Sequence, residues 1–326
     1  MVNSFTQGLC HINLGALQRN FRRCGDASLL MPVIKADAYG HGDAVVAPLL
    51  EQEGADQFAV SGFGEAVCLR RAGVTKPILI LGYTGVQNAA ALAVGGISQT
   101  VFSLEYARAL SEAALRAGVA VRVHLKVDTG MGRIGFTADD DMERAVAEMA
   151  EACALPGLVP VGVFTHFAAA DSTAPEDIAY TRRQYDILCA AVEEMAARGC
   201  TFAVKHCCNS AGTFAWPEFH LDMVRPGIIL YGEQPSADTV LPALRLRAAV
   251  SMVKELAAGD AVSYGCTFRA PKPMRAATLA VGYADGYPRA LSGRGTVSLH
   301  GRPARVLGRV CMDQLLVDAT DTGAAV

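Results

Sequence analysis

Between Leu29 and Pro226 the chain alternates short, continuous apolar runs with amphipathic stretches. The apolar runs are LLMPVIKA (29–36), QFAVSG (57–62), PILILG (77–82), SQTVFS (98–103), VRVHLKVD (121–128), PVGVFTHF (160–167), FAVKHC (202–207) and LDMVRP (221–226). A strand buried on one face alternates apolar and polar residues, whereas an unbroken apolar run suits a parallel strand covered on both faces. The segments between them, such as 104–117, 139–152 and 177–198, carry helical periodicity. Pro175, with Glu176 and Asp177 behind it, suits a helix N-terminus. Eight strands separated by helices predict an α/β fold closed as a (β/α)8 TIM-like barrel. An open doubly wound sheet is the alternative, but no GxGxxG follows the first strand.

After Tyr231 the pattern changes. The segment EQPSADTVLP (233–242) reads as a linker. Beyond it short β-type runs are broken by Gly and Pro, which predicts a smaller all-β domain. The expected division is a barrel over 1–232, with residues 9–14 a candidate for pairing with the β domain, and a β domain over 233–326 that ends short of completion.

Composition narrows the partners. Hydrophobic residues make up 52% of the 326 and charged residues 19%, so a substantial core is available. The net charge of −3 has no basic run behind it, which disfavours nucleic acid. No apolar stretch reaches the ~18 residues of a membrane helix, and the N-terminus lacks a signal-peptide pattern, so the expectation is a cytoplasmic protein. The ten cysteines include no CxxC, so they read as free buried thiols, not as ligands, and no metal is expected.

In a closed barrel the chemistry sits at the C-terminal ends of the strands. Those ends carry Lys35 and Tyr39, then Lys126, Asp128 and Arg133, then His166, Asn209 and Ser210, and finally Arg225, Gly227 and Ile228. A lysine in an apolar strand must reach the mouth or find a partner, and its amine is a nucleophile toward an aldehyde. Its bland reading is a snorkelling strand-end cation. The Asn-Ser-Ala-Gly loop and Gly227–Ile228 fall where barrels commonly hold phosphate, although NSAG alone is an ordinary cap and turn. Arg225 could meet a ring nitrogen or pair with Asp222. Lys126 could bridge to Asp128, and His166 could be a satisfied core histidine.

Taken together, VIKADAYGHG, LKVDTGMGRIGF, THFAAAD, HCCNSAG, DMVRPGIILYG, VSYGCTF, VGYADGYPR and GRVCMDQ resemble the alanine racemases in sequence and order, from the start of the chain to about Ala319. The resemblance implies a pyridoxal 5′-phosphate enzyme of cell-wall D-alanine synthesis, working as a homodimer with shared sites. It implies that Lys35 holds the cofactor and serves as one acid/base, and that Tyr264 serves as the other from the partner's β domain. Tyr39, Asn209, Ser210, Gly227 and Ile228 correspond to cofactor-binding positions. Arg225 corresponds to the arginine at the pyridine nitrogen, and His166 to the histidine between that arginine and the tyrosine. Arg133, Met312 and Asp313 correspond to substrate-binding positions, and Lys126 to a lysine that is often carbamylated.

The chemistry is coherent. Removing an α-proton needs an electron sink, which the cofactor's ring supplies, and inversion needs acid/base groups on opposite faces. A phenol titrates near 10, so as a base it needs cationic neighbours. The resemblance also implies a further tyrosine downstream of Val326 that borders the phosphate and the substrate pocket; no position here corresponds to it. A serine-preferring racemase, a cofactor carrier without turnover and a barrel decarboxylase are the competing readings.

Overall fold

The structure, a computed structural model, describes residues 8–25, 29–233 and 240–324. Residues 234–239, most of the expected linker, lie outside the described residues, as do 1–7 at the N-terminus and 325–326. The chain forms two compact units, one of residues 13–243 and one of residues 1–12 with 244–326.

In the larger unit every one of the eight apolar runs overlaps a strand: Leu29–Leu30, Phe58–Val60, Ile78–Ile80, Ile97–Val101, Val121–Asp128, Leu158–Phe164, Val204–His206 and Met223–Val224. The second to seventh pair in parallel in chain order. Val224 pairs in parallel with Leu30, and Val33 bridges to Ala59. Backbone bonds from Asp222 to Lys205 and from Arg225 to Cys208 complete the ring. Ile78, Leu79 and Ile80 are all fully buried, as expected of strands covered on both faces. The first run is a regular strand over only two residues, but Met31 and Val33 go on donating to the carbonyls of Val224 and Pro226 at 3.0 and 2.8 Å.

The helices follow from their caps and stripes. In Leu104–Arg116 the Ser103 hydroxyl accepts the Tyr106 N–H at 3.2 Å, and Ala107, Leu110 and Ala114 face the sheet. Helix Met142–Ala154 is capped in the same way by Asp141. Pro175 opens the long helix Pro175–Ala197 at the position where a missing N–H costs nothing.

The smaller unit is antiparallel. Its five-stranded sheet runs in the order Val250–Leu256, Met274–Leu279, Leu315–Asp318, Arg302–Leu307, Thr296–Leu299. Ala277, Leu279, Val306, Leu315 and Val317 make its core. The N-terminal strand Leu9–Ile12 pairs antiparallel with Leu244–Arg247 in this unit. Among the described residues, no helix is long and apolar enough to cross a membrane.

The reading of the cysteines as buried needs correction. All ten are free, but only Cys24, Cys207 and Cys208 are buried; Cys68 is exposed and Cys153, Cys189 and Cys311 are half-buried. Apolar neighbours in sequence are a poor guide where a helix turns one side outward: Cys68 lies on Phe63–Arg71, whose buried residues are Ala66 and Leu69.

Candidate active site

The first strand leads into an uncommon backbone. Ala36, Asp37, Ala38 and Tyr39 have φ between 53 and 54°, one left-handed turn built from four residues none of which is glycine. Each such residue costs about 1–2 kcal/mol, so the surroundings must hold the turn in place. Glu65 accepts the Ala36 N–H at 2.8 Å and the Ser61 N–H and hydroxyl at 2.7 and 2.8 Å. Asp37 accepts the Asp43 N–H at 2.8 Å, and Ala38 is fully buried. Burial raises the Glu65 pKa, but the hydrogen bonds outweigh it and hold this carboxyl below its ordinary value.

This turn brings Lys35 and Tyr39 together, with the lysine Nζ 5.8 Å from the ring centroid. Among the described residues the Lys35 amine has no carboxylate partner. Tyr39 lies against Tyr231, centroids 4.8 Å apart, and Tyr231 donates to the Val33 carbonyl at 3.1 Å. Burial raises the pKa of both phenols.

Beside Tyr39 the seventh and eighth loops converge. The Ser210 Oγ accepts the Gly227 N–H at 2.8 Å and the Ile229 N–H at 3.5 Å, which leaves its own hydrogen to give. Asn209 caps the turn by accepting the Gly212 N–H at 3.0 Å. A Cβ on Gly227 would lie 3.0 Å from the Tyr39 hydroxyl and 3.7 Å from the Ser210 Oγ. Two hydroxyls thus converge on a space that only glycine leaves open, a cradle suited to phosphate oxygens. Ile228 is exposed at its edge.

Arg225 stands inside the barrel, 3% exposed. It does not meet Asp222, which pairs with Lys205 at 2.8 Å. Its Nη2 donates to the carbonyls of Thr165 and Cys207, both at 2.9 Å, and lies 3.3 Å from the His166 Nδ1. Its Nη1 lies 2.6 Å from the His206 Nδ1. Burial lowers the Arg225 pKa to about 10. Burial, and then the charges of Arg225, Arg133, Lys126 and Lys35, push the His166 pKa well below its ordinary value. Four cations therefore face one histidine, and no carboxylate neutralises Arg225 among the described residues. Such a site favours an anion and a ring nitrogen that stays unprotonated.

Lys126 does not bridge to Asp128. Its Nζ donates to the Ile134 carbonyl at 2.8 Å, while Asp128 accepts the N–H groups of Gly130 and Gly132, both at 3.1 Å. Burial, with Arg133 adding to it, pulls the Lys126 pKa down to about 8. Arg133 itself is exposed on the turn that Asp128 holds.

Three of the expected residues belong to the β unit. Tyr264 opens the turn Tyr264–Cys266 and is 66% exposed. Met312 is 60% exposed, its backbone N–H makes no hydrogen bond among the described residues, and Asp313 follows it. The loop Gly282–Tyr287 is pinned to this segment by bonds from Tyr283 to Cys311 at 3.0 Å and from Ala284 to Met312 at 2.8 Å.

Known proteins carry the same architecture. A family model described as the alanine racemase N-terminal domain matches residues 12–235, and one described as the alanine racemase C-terminal domain matches 243–326. The chain belongs to the alanine racemase family. Alanine racemases of Desulforamulus reducens and Desulfovibrio desulfuricans are each 44% identical, over 94% and 95% of this chain and 84% of either relative. The alanine racemase of Clostridium difficile 630 superposes with a TM-score of 0.89 at 36% identity, covering 99% of this chain and 85% of that one. The alanine racemase of Bacillus anthracis with bound L-Ala-P gives 0.87 at 30% identity, covering 99% and 83%.

Alanine racemases depend on pyridoxal 5′-phosphate, and the residues present fit it. The Ser210–Gly227–Tyr39 cradle suits the phosphate, the unneutralised Arg225 suits the ring nitrogen, and the unpaired Lys35 amine suits the aldehyde. Sequence reasoning did not single out Tyr231, His124 and His206 as members of this site. The two histidines carried one signal, an imidazole within an otherwise apolar strand run.

Proposed function

We propose that this alanine racemase moves its two protons with Lys35 and Tyr264, in a homodimer whose β unit serves the partner's barrel. The cofactor supplies an electron sink that lets an amino acid lose its α-proton. Lys35 holds the cofactor covalently and, from its Nζ, carries the proton on one face. The Tyr264 hydroxyl carries the proton on the other. Tyr39, Asn209, Ser210, Gly227 and Ile228 seat the phosphate. Arg225 donates to the ring nitrogen and, with His166, lends positive charge to the tyrosine. Arg133 and the Met312 N–H orient the substrate carboxylate, and Asp313 lines the same site.

The observation that carries this reading is the Lys35 amine, free of any ion pair among the described residues and set by the left-handed turn next to a cradle of two hydroxyls. The dimer is supported by Tyr264 and Met312, two large side chains left mostly exposed on the β unit. A pKa of about 8 makes Lys126 nucleophilic enough at neutral pH to take up carbon dioxide as a carbamate. A cytoplasmic setting suits ten free thiols.

Borohydride reduction of the purified protein followed by peptide mapping tests the attachment: the adduct is expected on the peptide containing Lys35. In heavy water, Tyr264→Phe is expected to abolish α-proton exchange from one alanine enantiomer and to spare the other. Equal exchange from both enantiomers in that variant, or an adduct elsewhere, refutes the two-residue division. Dilution to monomers is expected to abolish turnover. A carbon-13 bicarbonate signal lost in Lys126→Met tests the carbamate.

A further inference from the structure

We infer that His124 is a positioning residue for Arg225, acting through His206 by fixing which ring nitrogen of His206 carries the proton. Arginine can only donate hydrogen bonds. The Arg225 Nη1 lies 2.6 Å from the His206 Nδ1, so that nitrogen presents a lone pair. A neutral imidazole keeps one N–H, and in His206 it is therefore on Nε2. The Nε2 lies 3.0 Å from the His124 Nδ1, which accepts it. His124 in turn carries its own proton on Nε2. The donor-only guanidinium at one end and the His124 acceptor at the other thus select the same His206 tautomer.

The neighbours leave this row little freedom. His206 is fully buried and stacks on Phe164 with centroids 4.8 Å apart and planes 7° from parallel, so its ring cannot turn away. Arg225 lies over the same phenylalanine at 5.3 Å. His124 is 1% exposed, and room for it is made by glycine: a Cβ on Gly162 would overlap the His124 ring. The strand register also shifts between Val123 and His124 against the strand that carries Gly162. Burial and the Arg225 charge hold both imidazoles neutral, His124 down to about 3.

The consequence falls on Arg225. Its Nη2 is tied to two carbonyls, whereas among the described residues Nη1 rests on His206 alone. Without an acceptor at 124, the His206 Nε2–H is buried unpaired. The alternative His206 tautomer would set an N–H against the Nη1 hydrogens. Only the second outcome frees the guanidinium on the side that His206 now holds.

The effect on turnover rests on the proposal that Arg225 meets the cofactor, but the tautomers do not. Long-range proton–nitrogen spectra of the purified chain labelled with 15N-histidine read them directly, with His206→Gln assigning the His206 signals. The native chain is expected to carry the His206 proton on Nε2. His124→Asn keeps an acceptor and is expected to preserve that state, whereas His124→Leu is expected to move the proton wholly or partly to Nδ1. In kinetics, His124→Leu is expected to lower kcat by about tenfold or more with KM within about twofold, and His124→Asn to recover most of it. A native His206 protonated on Nδ1, or an unchanged tautomer in His124→Leu, overturns the inference. Conversion of the tautomer with kcat unmoved upholds the proton lock and refutes the role of Arg225 at the cofactor.

Discussion

Ser210 shows how much one hydroxyl can organise. It accepts two backbone N–H groups from the loop after the eighth strand and holds its own hydrogen toward the cradle. Ser210→Ala leaves those donors without their acceptor and removes one bond to phosphate. Pyridoxal phosphate is expected to bind about tenfold more weakly in that variant, roughly 1.4 kcal/mol, as measured by equilibrium titration. The serine and the NSAG loop were visible in the sequence. What Ser210 bonds to was not, because Gly227 approaches it only once the ring of strands has closed.

At the scale of elements, two stretches are held in conformations that their residues do not prefer. The left-handed turn at 36–39 is sustained by Glu65, Asp37 and the burial of Ala38. Ala36 is exposed there at φ 54°, so Ala36→Gly is expected to hold or raise the unfolding free energy by up to about 1 kcal/mol. Ala36→Val is expected to lower it by more than about 1 kcal/mol, since a branched Cβ resists positive φ. Urea titrations of the two variants give the comparison. The paired strands around His124 depend on Gly162 in a different way: Gly162→Ala forces the imidazole out of its place. A loss of about 1–3 kcal/mol is expected from that overpacking, in the same titrations. Neither feature had a signature in composition. Ala-Asp-Ala-Tyr reads as an ordinary right-handed helix start, and only the tertiary contacts turn it the other way.

Across the larger unit, His124, His166 and His206 all have pKa values depressed chiefly by burial. In the unfolded chain they protonate near 6.5, so below that pH the unfolded state binds more protons than the folded one. Their contribution to stability is therefore complete above about pH 6.5 and is lost as the pH falls below it, toward the folded value of about 3 for His124. Between pH 7.5 and 5.5 the three together are expected to remove about 4 kcal/mol of unfolding free energy, about 1.4 from each. Denaturation midpoints at the two pH values check this, and replacing His124 with Asn is expected to remove its share.

The sequence alone specified the succession of elements and the chemical identity of the mouth. Continuous apolar runs declare strands covered on both sides, caps and prolines declare helix starts, and Lys35, Ser210, Arg225 and Tyr264 stand in motifs that can be read one residue after another. Those signals are local, because a strand's burial and a helix's start are written in a few adjacent side chains. The tertiary structure decided what the signals left open: the left-handed turn that carries Lys35, the antiparallel pairing of Leu9–Ile12 with Leu244–Arg247, and the meeting of His124, His206 and Arg225. Each of these depends on residues far apart in the chain, and ring closure and strand register set the distance between them. No pattern along a single segment encodes that distance.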